Sequence, residues 1–568
     1  MSKLEKTINT IKNFMIKGFT INLGISGKDS FCVAHCAIEA LKLAIQINPN
    51  VRPLHITTVD TTIDNFEIMA FLQDCHLAFE SYGEEFNLPV VSTFIKPRTQ
   101  SRPLVQYIGR GLILRTMTNQ IGRRQCTSDW KITPLIDFTK KLKDKYQTDK
   151  LLNLSGSRSE ESKSRAAALD KRNETIDTLT VTDMGYKLAP IKDWTLSDVW
   201  GLINSIEDGV VESFGENLTR DLRQHYSAGN SGACDVLVGN STANSKPCSS
   251  TFGCTMCSLV KEDHSLKNQI ETSKEKYGYM AGILDLRNYM FNTLNDLELT
   301  RARYSKKLRD DKFIKLSFND YSIEYRIKLL QFALTIDALE AERADREGEE
   351  PKFQLIDYPS IVAIQFYFAR EGGEVTPGQA IKAWHDVHTN GNRYFIPSTE
   401  YVEPQPMPVS PEKQYFDIGE AITRIGAKGL MTDEEENKLQ SAHRVSSNHG
   451  EFLTTPFSNS KKFNIGENGM AWEYVEEIFP RYLEGNALKK GVCPTVILKD
   501  MINLGVIKAP QSQIYRLHKQ SKVAQVINYL TANHIVPEDY YDAHSINESD
   551  VICASQELAK SDPQLSIF

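Results

Sequence analysis

Five of the ten cysteines stand where thiols can do chemistry: Cys126, Cys234, Cys248, Cys254 and Cys257 lie in or beside motif-like segments of the first half. Two residues separate Cys254 from Cys257, so two thiolates can bite one centre, and Cys248 lies six residues before them. A loop-rich cysteine cluster of this kind is metal-binding or catalytic rather than a disulfide framework. Four thiolates suit Zn²⁺ or a [4Fe–4S] cluster, and the spacing does not choose between them. A bare CxxC redox pair is the third reading. Cys32, Cys36 and Cys75 read as buried packing residues.

A second constellation precedes the cysteines, the run Gly24, Ile25, Ser26, Gly27, Lys28, Asp29, Ser30. It follows a short apolar run and opens a helical pattern. Small residues there let backbone N–H groups approach a phosphate, and a helix N-terminus adds a positive dipole. Lys28 supplies a cation and Ser30 a hydroxyl. The glycine spacing is shorter than in the GxxxxGK[ST] loop. Asp60 ends the next apolar run in VDTT, placed to contact ribose, adenine or Mg²⁺. Gly156, Ser157 and Arg158 follow a later run and lead toward Arg165, which gives two arginines suited to phosphate. Thr195 and Asp198 form a helix start, Thr195 as N-cap and Asp198 at the third helical position. Trp194 and Trp200 read as packing residues.

The elements that must position these groups alternate. Strand patterns at 19–25, 53–59, 88–94 and 151–154 are separated by helical patterns at 30–47, 63–82 and, after the last strand, 160–169. Such alternation predicts an α/β fold, a parallel doubly wound sheet of Rossmann-like form, with ligands at the carboxyl ends of its strands. Four segments follow from the patterning: a nucleotide domain over 1–207, a Cys-rich region over 208–265, a charged helical extension over 266–350, and a mainly helical part over 351–568. A Pro-rich link lies at 401–411.

The 568 residues carry a formal charge of −7, with 40% hydrophobic and 24% charged residues, an ordinary composition for a globular protein. No run of eighteen apolar residues occurs, which predicts no membrane span. The N-terminus is too charged for a secretory signal and reads as an amphipathic helix, so a cytoplasmic location is expected. Local charge departs from the net value. Between residues 96 and 131 lie Lys96, Arg98, Arg102, Arg110, Arg115, Arg123, Arg124 and Lys131 against the single acid Asp129. That segment suggests an anionic partner, nucleotide or polynucleotide.

Taken in order, the loop at 24–30, VDTT, GRRQCTSDWK, GSRSEESKSRA and PIKDWTLSDVW resemble the phosphoadenylylsulfate reductase superfamily of adenine nucleotide α-hydrolases. Cys234 followed by KPCSSTFGCTMCSLVKEDHS resembles its DNA phosphorothioation branch, the DndC type. The resemblance covers roughly residues 20–310. In the loop, Ile25 and Ser26 replace the usual Ser-Gly. The resemblance implies a PP-loop ATP pyrophosphatase that binds ATP and Mg²⁺ through Gly24, Ser26, Gly27, Lys28, Asp29, Ser30, Asp60, Gly156, Arg158 and Arg165. It implies a [4Fe–4S] cluster, with Zn²⁺ as the alternative, on Cys126, Cys248, Cys254 and Cys257, with Cys234 the second candidate for the place given to Cys126. Cys234 is then left to carry sulfur, with Cys126 beside Arg123 and Arg124 as the other candidate. The implied activity is ATP-dependent sulfur transfer to DNA in an anti-phage modification system. Lys28, Asp29, Ser30 and Cys234 would be catalytic. DNA, a cysteine desulfurase and other proteins of a modification complex are the implied partners. A phosphoadenylylsulfate reductase and a tRNA-thiolating enzyme are the alternatives, and a catalytically retired scaffold is a further one.

Overall fold

The computed structural model describes residues 2–116, 119, 125–161, 163–229, 253–301, 304–309, 313–372, 374, 376–406 and, with interruptions, 415–546. Cys234 and Cys248, and likewise Arg123 and Arg124, lie outside the described residues. The chain divides into two compact units, Met1–Arg98 with Arg115–Arg287, and Thr99–Leu114 with Asn288–Phe568. The described part of 208–265 belongs to the first unit.

In the first unit the expected α/β alternation is present. Helix α1 (Lys3–Ile16) starts at a capping box, with Ser2 accepting from the Glu5 amide and Glu5 accepting from the Ser2 amide. Then come β1 (Thr20–Gly24), α2 (Lys28–Ile47), β2 (Leu54–Val59), α3 (Phe66–Glu85) and β3 (Val90–Ile95). The chain returns through α4 (Thr133–Tyr146) to β4 (Leu151–Leu154), α5 (Lys163–Lys171), and a hairpin of β5 (Thr180–Thr182) and β6 (Gly185–Leu188). Helices α6 (Leu196–Glu207), α7 (Thr219–Gly229) and α8 (His264–Thr272) follow.

The sheet order is β3-β2-β1-β4-β6-β5, parallel throughout except for β5 against β6. The chain moves outward from β1 through β2 to β3 and then restarts on the other side at β4. That reversal makes the gap between the carboxyl ends of β1 and β4 the switch point of the sheet. Strands β2 and β4 are buried along nearly their whole length, as strands covered on both faces must be. One polar ladder crosses the interior: the Asn22 amide donates to Asn153 Oδ1 at 2.9 Å, joining β1 to β4.

By length and by a mean hydropathy of 1.4 helix α2 is long and apolar enough to cross a membrane. Here it serves as a core helix, with Phe31, Cys32, Cys36 and Leu41 fully buried. Cys75 is also fully buried. Trp194 and Trp200 are core residues too, 4% and 2% exposed.

The second unit is built on other lines. Within 266–350, read from sequence as charged helices, lie strands β7 (Tyr304–Arg309) and β8 (Phe313–Leu316). They belong to an antiparallel sheet with β9 (Tyr415–Asp417) and β10 (Ser545–Ile546). Helices α9 (Ile323–Glu347), α10 (Tyr358–Glu371), α11 (Gln379–His388) and α12 (Gln511–Ala532) supply most of the rest. Arg326 is buried in α9 and donates to the Ile108 carbonyl at 2.6 Å and to Glu371 at 2.8 Å. Asp337 is buried with it and accepts from the Leu355 and Ile356 amides at 2.7 and 2.9 Å.

Candidate nucleotide and thiol site

The loop after β1 closes on itself before it opens α2. Ser30 Oγ accepts from the Ser26 and Gly27 amides at 2.9 and 3.1 Å and donates to the Gly27 carbonyl. This pulls the loop into a tight turn and directs the start of the 20-residue α2 toward the switch point. Gly156, in the loop after β4, comes so close that a Cβ there would stand 2.9 Å from the Ser30 amide nitrogen. The two loops therefore meet backbone to backbone, and only glycine fits at 156.

Lys28 and Asp29 are held by named partners. Lys28 is 8% exposed, with Nζ 3.4 Å from Asp29 and 4.7 Å from the centre of the Tyr226 ring. Burial works against its ammonium, yet Tyr226 and Asp29 outweigh it and raise the pKa above the ordinary lysine value. Asp29 accepts from Arg158 Nε at 2.6 Å. Arg158 is 3% exposed, and it also reaches Glu160 at 3.3 Å and the Trp194 carbonyl at 3.4 Å. The guanidinium thus acts as a strut between the loop after β4, the start of α2 and the turn before α6. That last turn carries the expected capping box of Thr195 and Asp198. Arg165 lies in α5.

Asp60 stands at the carboxyl end of β2. Its carboxylate accepts from the Thr62 amide at 2.7 Å and pairs with Lys96 at 3.3 Å. Thr62 has φ +71°, a left-handed conformation that a β-branched residue rarely adopts. Asp64, which the sequence did not single out, ties the next turn by accepting from both the amide and the hydroxyl of Thr61.

The CxxC turn is seated on this same loop. The Thr255 amide and hydroxyl both donate to the Ile63 carbonyl, at 2.7 and 2.9 Å, and Cys254 forms an antiparallel bridge with Asp64. The turn closes with the Cys257 amide donating to the Cys254 carbonyl at 3.0 Å. Arg287, 1% exposed, fixes its far side by donating to the carbonyls of Cys257 and Lys261 at 3.0 and 2.7 Å and to that of Val260. Cys257 is the acidic member of the pair: the Cys254 thiol, the Leu259 amide and Arg287 pull its pKa below the ordinary thiol value, against burial. Lys131 bonds Asp64 at 3.0 Å, and both Cys254 and Cys126 act on it electrostatically. Three of the five singled-out cysteines, Cys126, Cys254 and Cys257, thus belong to one electrostatic neighbourhood beside the loop after β2. Two thiols on one hydrogen-bonded turn, Cys257 acidified and Cys254 pushed the other way by Cys257 and burial, fit a soft, thiolate-ligated group. Among the described residues no set of three or more metal-ligating side chains is assembled.

The basic segment has its own carboxylates. Lys96 pairs with Asp60, Arg98 with Asp137, Arg102 with Asp357, Arg115 with Asp129 and Lys131 with Asp64. Charge counted along the chain therefore overstates the cation left for a partner. Asp64, Arg287 and Tyr226 were missed from sequence, and none stands in a motif. Asp64 bonds both nearby Thr61 and remote Lys131, while the partners of Arg287 and Tyr226 are remote in the chain. No family model matches this chain, and no curated protein matches it.

Proposed function

We propose that the first unit is a PP-loop ATP pyrophosphatase and that the whole chain is an ATP-dependent sulfurtransferase acting on a DNA backbone phosphate. One observation carries the reading: a CxxC turn is hydrogen-bonded to the loop after β2, on the sheet edge where the glycine loops after β1 and β4 meet. A phosphate-sized anion and a thiol centre are both served by that edge. The β- and γ-phosphates of ATP, with Mg²⁺, take the N-terminus of α2, where Lys28 neutralises charge and the helix dipole favours an anion. Arg158 keeps Asp29 and that helix start in place. A non-bridging DNA oxygen attacks the α-phosphorus, the bond to the β-phosphate breaks, and pyrophosphate leaves with the electron pair. A sulfur nucleophile then attacks the activated DNA phosphorus, and AMP leaves with its oxygen.

Cys254 and Cys257 would hold a [4Fe–4S] cluster or Zn²⁺, with Cys126 and Cys248 as the remaining ligands, and bound iron would supply sulfur-handling chemistry. Cys234 is assigned the sulfur-carrying role as a persulfide charged by a cysteine desulfurase. Once its outer sulfur has bonded to phosphorus, an external thiol attacks the Cys234 sulfur and breaks the S–S bond, leaving the phosphorothioate on DNA, and a second thiol restores Cys234. Expression of the chain with such a desulfurase should place nuclease-resistant sulfur in host DNA, lost in Lys28→Ala and in Cys254→Ser. Sulfur at wild-type level in either variant contradicts the assignment.

The paired cations of residues 96–131 favour a second reading, sulfur chemistry on a small nucleotide of the phosphoadenylylsulfate type. It needs no polynucleotide surface. Release of sulfite from phosphoadenylylsulfate by purified protein supplied with a dithiol reductant, without sulfur appearing in DNA, would select it.

A further inference from the structure

Tyr226 lies on α7, far in sequence from the nucleotide loop, yet it occupies the start of α2. Its hydroxyl accepts from the Lys28 amide at 3.4 Å, and its ring lies 4.7 Å under Lys28 Nζ. A Cβ on Gly27 would meet that hydroxyl at 2.7 Å, so the glycine makes room for it. The side chain is 7% exposed, and its ring also meets Trp200 edge-on at 5.8 Å. A tyrosine oxygen therefore sits where the helix dipole and the first amides favour an anion.

At 3.4 Å the hydroxyl bond is long and weak, whereas a phosphate oxygen in the same place would be charged and shorter-bonded. We propose that Tyr226 is a positioning residue of the nucleotide loop, its hydroxyl standing in for a phosphate oxygen at the α2 N-terminus and yielding to the phosphates of ATP. Its ring pivots with the hydroxyl and stays within reach of the Lys28 ammonium, a cation over an aromatic face. The two parts of the side chain then act in opposite directions, since the ring favours phosphate and the hydroxyl competes with it. This inference rests on the nucleotide reading of the loop.

Calorimetry with inorganic pyrophosphate, ATP and adenosine tests it on the full-length chain. Tyr226→Phe keeps the ring and removes the competitor, so pyrophosphate and ATP should each bind about fivefold tighter, the weight of one modest hydrogen bond. Adenosine, which has no phosphate, should bind as it does to wild type. Tyr226→Leu keeps bulk without the aromatic face and should bind pyrophosphate more weakly than Tyr226→Phe. Loosened packing alone would weaken all three ligands together. Equal or weaker pyrophosphate binding by Tyr226→Phe overturns the role of the hydroxyl while leaving the nucleotide reading intact. A wild-type chain that binds neither pyrophosphate nor ATP overturns both.

Discussion

Asp29 is the residue whose neighbours most constrain the candidate site. It is the direct carboxylate partner of Arg158 Nε, and Arg158 is almost wholly buried. Asp29→Asn leaves that guanidinium with a neutral acceptor, and we expect a loss of about 2 kcal/mol, the scale of a hydrogen bond to a charged group. Thermal unfolding checks it, and an unchanged melting temperature would refute the strut. A pH effect belongs to the second unit. Burial pushes Asp337 up to about 8 and Glu374 up to about 7, despite amide donors to both. The folded chain then keeps protons that the unfolded chain releases above about pH 4. Their contribution is therefore full at acid pH and fades as pH rises from there toward 8. Melting temperature should fall between pH 5 and pH 8, and fall less in Asp337→Asn; equal slopes would contradict this. At this scale the sequence was legible where a local rule applies, as at the Thr195 capping box. It was silent on Arg287, whose partners Cys257, Val260 and Lys261 lie some thirty residues away in the chain, and on Asp64, which bonds nearby Thr61 but also remote Lys131.

Among the elements, the loops after β1, β2 and β4 carry the account. Gly156→Ala would press a methyl to within 2.9 Å of the Ser30 nitrogen, against backbone that cannot swing aside. We expect a stability loss of about 1–3 kcal/mol together with loss of ATP binding. Normal melting and normal ATP affinity in this variant would refute the close meeting of the two loops. For the CxxC turn, anaerobically purified protein should contain iron with acid-labile sulfide, and Cys257→Ser should lose both. Zinc without iron would mark a structural site and remove support for sulfur chemistry. The strands β1 to β4 were readable because each is a short apolar run bounded by turns. The β5–β6 hairpin was not, since Thr180–Thr182 and Gly185–Leu188 are only three and four residues long. Strands β7 and β8 hid in a lysine- and arginine-rich stretch, and β8 pairs with β9 from a distant segment. Local periodicity holds no record of such a pairing.

For the molecule as a whole, charge is the property the sequence misrepresented most. The run from Lys96 to Lys131 looks like a basic stripe, but Lys96, Arg98, Arg102, Arg115 and Lys131 meet carboxylates, one as distant as Asp357. Linear counting cannot see them. The α/β class of the first unit, by contrast, followed from alternation along the chain, and the sheet order then placed the glycine loops at its switch point. The central claim is that this edge cleaves ATP between its α- and β-phosphates. Its most direct test is product analysis with ATP labelled at the α-phosphate, using metal-replete protein, Mg²⁺, short duplex DNA, and a cysteine desulfurase with cysteine and a thiol reductant to supply sulfur. The account predicts labelled AMP with an equal amount of pyrophosphate, abolished in Lys28→Ala. Labelled ADP with free phosphate, or no turnover by the metal-replete wild type, would contradict it.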